Sequence, residues 1–233
     1  MNKLIYVYLL SFSLCLLFPV ITNAQEYKYE IGGALGSSFY MGDANRTKLF
    51  LHSHPSVGVM HRYNLNLNWA VKSNFVLGKV SGNTKDSKHV FPNGTEVTFE
   101  RTFFELGSQI EFNIFPYSDM FTYMNSKIYS PYLLLGAGIT MGTGNETFVN
   151  VNVPVGIGIK YKLKDRMNIG AEFTVRKLFG DNFDVVDKSN ELNLDSPFGI
   201  KSSFIKNKDL YSLVMFFFTW EFGAKYKPCC GDN

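Results

Sequence analysis

Cysteine is scarce in this chain, at three of 233 residues, and charge of one sign is never concentrated. Cys15 falls inside an apolar leader, which leaves Cys229 and Cys230 as the only thiols of the mature protein, too few for a framework of internal bridges. Past the leader no run approaches 18 apolar residues, so no transmembrane helix is expected. The net charge of +3 is spread without a basic run, which excludes a nucleic-acid surface. Asp181, Asp184, Asp187, Glu191 and Asp195 lack the Gly-centred spacing of a calcium loop and read as a solvated acidic loop. No cofactor or metal is expected.

What the chain has in quantity is aromatics and glycine: 22 Phe, 13 Tyr and 20 Gly, at a mean hydropathy near zero. Residues 1–24 form a signal peptide, with Lys3 as the positive n-region, 4–20 as the apolar core and Thr22-Asn23-Ala24 as the cleavage site. Leu14 is too large for the residue preceding a lipoprotein acceptor, so Cys15 is discarded with the leader. The mature chain is therefore exported.

The most informative stretch is 149–163, VNVNVPVGIGIKYKL, apolar at every second position from Val149 to Leu163. Polar or small residues, including Asn152, Gly156, Gly158, Lys160 and Lys162, lie between. Such alternation puts a wholly apolar row on one face of a single long strand. About 9 to 11 tilted residues cross a hydrocarbon layer, so the stretch reads as a transmembrane strand with its valines toward lipid. Pro154 lacks the N–H a doubly paired strand should donate and predicts a local bulge or a missing ladder bond.

Seven further strands follow from the same pattern: 27–41, 54–65, 69–80, 99–115, 129–141, 167–179 and 209–222. The first carries Tyr29, Ile31, Leu35 and Phe39 on its apolar parity. Eight strands make an all-β, eight-stranded antiparallel up-and-down transmembrane β-barrel of the OmpA-like size over residues 25–222, with a tail at 223–233. The first, third, fifth and seventh connections average longer than the second, fourth and sixth. That alternation predicts an outer-membrane barrel with both termini in the periplasm. Residues 116–128 are long for a periplasmic turn and are a candidate docking feature, or simply an extended hairpin.

A barrel this small is only wide enough for side chains. The predicted inward set is Glu30, Arg62, Lys72, Arg101, Glu105, Glu111, Lys160, Glu172, Arg176 and Glu221. Charges held away from bulk water must pair, which predicts a plugged lumen rather than a pore. Arg101, Glu105, Glu172 and Arg176 are the candidate structural pairing residues, with Glu172 and Arg176 each expected to bind a neighbouring strand.

No catalytic group is assigned. His52, Ser53 and His54 sit at the first external loop, and read as solvated loop residues, because catalysis needs a further group positioned across strands. The tail GAKYKPCCGDN places Cys229 and Cys230 in an oxidising space. Adjacent cysteines close on each other only through a strained ring, so the pair is a candidate for an intermolecular disulfide with a partner; a disordered tail with incidental cysteines is the alternative.

Several segments together resemble the PorG-like outer-membrane barrels of type IX secretion, the system of gliding bacteria. They are Glu30-Ile31-Gly32-Gly33 with Tyr40-Met41-Gly42-Asp43, FFELGSQIEFNIFPY from Phe103, PYLLLGAGI from Pro131, and GIGIKYKLKDRMNIGAEFTVRKLFGDNF from Gly156. Where the family tends to carry Asp-Tyr-Leu-Asp, this chain has Asp181-Asn182-Phe183-Asp184. The resemblance implies a noncatalytic subunit that ties the periplasmic ring proteins of the secretion machine to the outer membrane. A structural OmpA-like barrel serving envelope integrity and a lipid-modifying enzyme are the alternatives.

Overall fold

The computed structural model describes residues 27–41, 53–83, 98–118, 125–143, 147–164, 166–179 and 210–223. Residues 1–24, read as a signal peptide, His52, the acidic residues of 181–195 and both tail cysteines lie outside the described residues. Eight strands are present: β1 (Tyr29–Met41), β2 (His54–Asn64), β3 (Trp69–Asn83), β4 (Thr98–Asn113), β5 (Tyr129–Thr143), β6 (Phe148–Lys164), β7 (Met167–Leu178) and β8 (Leu210–Phe222). Each pairs antiparallel with the next, and β8 returns to β1, so the sheet closes with no free edge. Every strand expected from the alternation is there, with ends displaced by three residues or fewer.

Following paired residues once round the barrel gives the stagger. The path runs Tyr29, Tyr63, Val71, Ile110, Leu135, Val155, Val175, Ser212 and back to β1 at Phe39, ten residues beyond its start. With about 3.3 Å per residue and about 4.8 Å between strands, that stagger tilts the strands by roughly 40°. A tilt of this size leaves a narrow, fillable interior.

The outer surface is apolar. Leu35, Val59, Leu106, Leu135, Val149, Ile157 and Phe216 are all more than half exposed. Water does not sustain such a continuous belt on a folded protein, whereas hydrocarbon does. At the end of the barrel that carries the chain termini, Tyr29, Tyr63, Trp69, Phe112, Tyr129, Tyr161, Trp220 and Phe222 share one level of the sheet. Several are in ring contact, Tyr29 with Tyr63 at 5.3 Å and Trp69 with Phe112 at 4.8 Å. This is an aromatic girdle of the kind that sits at a membrane–water boundary.

The break in pairing expected at Pro154 is present, and one residue of β1 departs from its expected face. Around Pro154 the β5–β6 pairs stop at Leu135↔Val155 and resume in the same register at Gly138↔Asn152. The pairing lapses without a bulge; the register shift of β6 lies instead between Lys162 and Lys164, against β7. Phe39, on the apolar parity of β1, is buried, and so is Ser212 opposite it on β8.

Candidate functional site

The inward row of every strand points into one lumen, and the lumen is full. All ten charged residues assigned to it by parity are buried, Arg62, Lys72, Glu105 and Glu111 completely. Their partners lie across the barrel. Near the termini end Arg62 binds Glu30 and approaches Glu111 at 2.8 Å, and Glu111 also faces Lys72 at 3.6 Å and Lys160 at 3.5 Å. Lys72 continues the chain to Glu172 at 2.6 Å, whose carboxylate also accepts the Tyr132 hydroxyl at 3.0 Å. Six strands, β1 to β4 with β6 and β7, are thus joined through one connected set of charges.

A second set lies nearer the long loops. Arg176 donates through Nε to Glu105 at 2.6 Å, and the Tyr211 hydroxyl and Asn74 donate to the same carboxylate. Tyr211 meets Thr140 at 2.8 Å, and Asn152 donates to Thr140 at 2.6 Å. Glu105 and Glu172 are each held by a cation together with neutral donors, and Glu111 by three cations, which is what makes a buried charge tolerable.

The expectation that Glu172 and Arg176 each bind a neighbouring strand is corrected here. They do not bind each other, but their partners, Lys72 on β3 and Glu105 on β4, are not hydrogen-bonded neighbours of β7. The lumen is narrow enough for long side chains to reach the opposite wall. Arg101 is buried on the inner face of β4, nearer the loops than Glu105.

Three features lie beyond the inward charged set named from the sequence. Lys162 is buried and takes Glu221 at 2.8 Å and 3.0 Å, although its place in the inward row of β6 was visible. An apolar plug fills the lumen around the charges, with Met60, Val76, Phe103, Leu134, Leu213, Met215 and Phe217 among its members. Glycine opposite bulk makes room for it: a Cβ on Gly158 would come within 2.4 Å of the Tyr132 ring. Finally, the β4–β5 connection supplies Tyr117, buried, whose hydroxyl donates to Asn168 at 2.7 Å while Lys160 lies 5.0 Å from its ring centre. Tyr117 and the buried Leu67, held by the Tyr117 N–H on the Leu67 carbonyl at 3.1 Å, close the termini end of the lumen.

At the loop end, His54 Nε2 lies 2.7 Å from Ser81 Oγ. Among the described residues no carboxylate is bonded to the other ring nitrogen, so the pair lacks the orienting third group of a nucleophile–base arrangement. Among the described residues there is also no group of three His, Cys, Asp or Glu able to hold a metal ion. Among the described residues, the lumen side chains tie strand to strand through ion pairs and hydrogen bonds.

The barrel is similar to solved structures of bacterial surface barrels. Neisserial surface protein A matches at 10% identity over 83% of this chain and 97% of that one, with a TM-score of 0.51. Ail of Yersinia pestis matches at 15% identity over 85% and 99%, with a TM-score of 0.45. The outer membrane protein OprG of Pseudomonas aeruginosa matches at 13% identity over 86% and 98%, also at 0.45. The likeness to Neisserial surface protein A, at 10% identity, speaks for the fold alone, the closed eight-stranded antiparallel barrel of outer-membrane proteins. No curated protein matches the sequence. A family model spans residues 7–233, and the chain belongs to that family, the one described as Domain of unknown function (DUF6089).

Proposed function

We propose that this chain is a noncatalytic outer-membrane barrel that anchors the periplasmic ring of a type IX secretion or gliding machine to the outer membrane. The observation that carries the reading is the filled lumen. A barrel whose interior is occupied by cross-strand ion pairs and an apolar plug offers no route for solute or cargo, and what remains for it is to hold something in the membrane. The resemblance of this chain's motifs to those of the PorG-like barrels is what supports a type IX machine as the one anchored. Two of their residues, Glu172 and Arg176, are members of the buried charge sets.

In this reading the termini and short turns face the periplasm and the long connections face outward. The tail at 223–233 then reaches the ring proteins, with Cys229 and Cys230 available for a disulfide to one of them. Deleting the gene tests the proposal: secreted cargo is expected to accumulate inside the cell while the envelope stays sealed to detergents. Normal cargo secretion with a leaky envelope would replace the anchor by a purely structural barrel.

A further inference from the structure

On the outer wall, at the rim that carries the termini, a cavity of about 640 Å³ opens between the end of β6, the start of β7 and β8. Its wall is of two kinds. Ile128, Tyr161, Leu163 and Trp220 supply apolar and aromatic surface, and Lys164 and Arg166 supply charge. Tyr161 and Trp220 belong to the aromatic girdle, so the cavity straddles the boundary between hydrocarbon and water.

The cations are placed there by the local backbone. Strict alternation would turn Lys164 inward with Lys160 and Lys162, but the register shift between Lys162 and Lys164 adds Leu163 as an extra residue, and Lys164 is exposed. Among the described residues Lys164 has no ion-pair partner. Among the described residues Arg166 is steadied by Tyr27: its Nε donates to the Tyr27 hydroxyl at 3.2 Å and its guanidinium lies 5.0 Å from the Tyr27 ring centre. Lys162, also at the cavity, is already engaged by Glu221. In the sequence Asp165 stands between the two cations, so residues 164–166 sum to a single positive charge.

We propose that this cavity binds an anionic glycerophospholipid, its phosphodiester on Arg166 and Lys164 and the head of an acyl chain along Leu163, Ile128 and Trp220. The guanidinium fork matches two phosphate oxygens, and the ammonium adds a point charge. A zwitterionic lipid offers the same phosphate but brings its own cation against Lys164 and Arg166. The choice of a glycerophospholipid rests on the reading above that this rim faces the periplasmic leaflet.

The test uses the mature full-length barrel in detergent, given equal phosphatidylglycerol and phosphatidylcholine, with retained lipids counted by native mass spectrometry. Wild type is expected to retain phosphatidylglycerol about fivefold over phosphatidylcholine, the effect of one net cation at a membrane surface. Lys164→Gln with Arg166→Gln is expected to abolish the preference, whereas Lys79→Gln, on the opposite rim, is expected to keep it. Heat-modifiable gel mobility checks that each variant is folded. Equal retention by wild type overturns the proposal without reference to any variant. Displacement by excess inorganic phosphate would reduce the site to a phosphate site, and preference for lipopolysaccharide over phosphatidylglycerol would overturn the choice of lipid. None of these outcomes depends on the secretion phenotype, so the site and the anchor role fail separately.

Discussion

Arg176 and Glu105 are buried together on opposite walls of the lumen, and each is tolerable only because the other is there. Arg176→Met is therefore expected to destabilise the barrel by about 3–5 kcal/mol, because it strands a carboxylate away from water. Adding Glu105→Gln should recover most of that loss, since Tyr211 and Asn74 still bond a neutral amide. Urea midpoints of the single and double variants in lipid vesicles measure both effects. His54 and Ser81 make the contrasting case, a contact with a catalytic look and no orienting group among the described residues. His54→Ala and Ser81→Ala are expected to leave the lipid composition of isolated outer membranes unchanged, as read by mass spectrometry; a missing lipid species would make the barrel an enzyme. The burial of Glu105, Glu172 and Arg176 was legible in the sequence, because inward parity is a local property. Their partners were not legible, because which walls meet across a lumen depends on stagger summed over several strands.

At the scale of the strand, β6 shows what period-two alternation can and cannot predict. It placed Val149, Val151, Val155, Ile157 and Ile159 on the exposed outer face and Lys160 inside. It did not foresee that the shift near Lys162 would turn Lys164 outward, since a bulge leaves no mark in a hydropathy pattern. The two faces of β6 also differ in how much change they accept. Gly158→Val is expected to cost about 2–3 kcal/mol, since its side chain would displace Tyr132 from Glu172 in a filled lumen. Ile157→Val, one residue away on the lipid face, should cost less than about 1 kcal/mol. Equilibrium unfolding of both variants checks the assignment of faces, and equal losses would contradict it. The connection between β4 and β5 was legible only as unusually long. That it sends Tyr117 under the lumen is a tertiary fact, fixed by bonds to Asn168 and Leu67 that lie far away in sequence.

For the whole molecule, closure of the sheet is the property from which the rest follows. It removes the free edges, forces one face of every strand to lipid and the other into a space that must be filled, and leaves the rims as the places where partners and headgroups can be met. The number of strands and the sense of each face were readable from alternation and turn spacing. The apolar plug was not, because Met60, Leu213 and Met215 are ordinary apolar residues on a parity expected to be polar. If the tail at 223–233 engages a periplasmic partner covalently, a non-reducing gel of outer membranes should show a high-mass band containing this chain. The band should collapse on reduction and be absent from Cys229→Ser with Cys230→Ser; a monomer-sized band in both strains would remove the disulfide from the account. The claim beneath all of this is that the barrel is sealed, and conductance of the purified wild-type protein in a planar lipid bilayer tests it most directly. Folded protein should insert and give no steady channel current, whereas a reproducible, ion-selective unit conductance would mean that the lumen is a pore and the anchor reading is wrong.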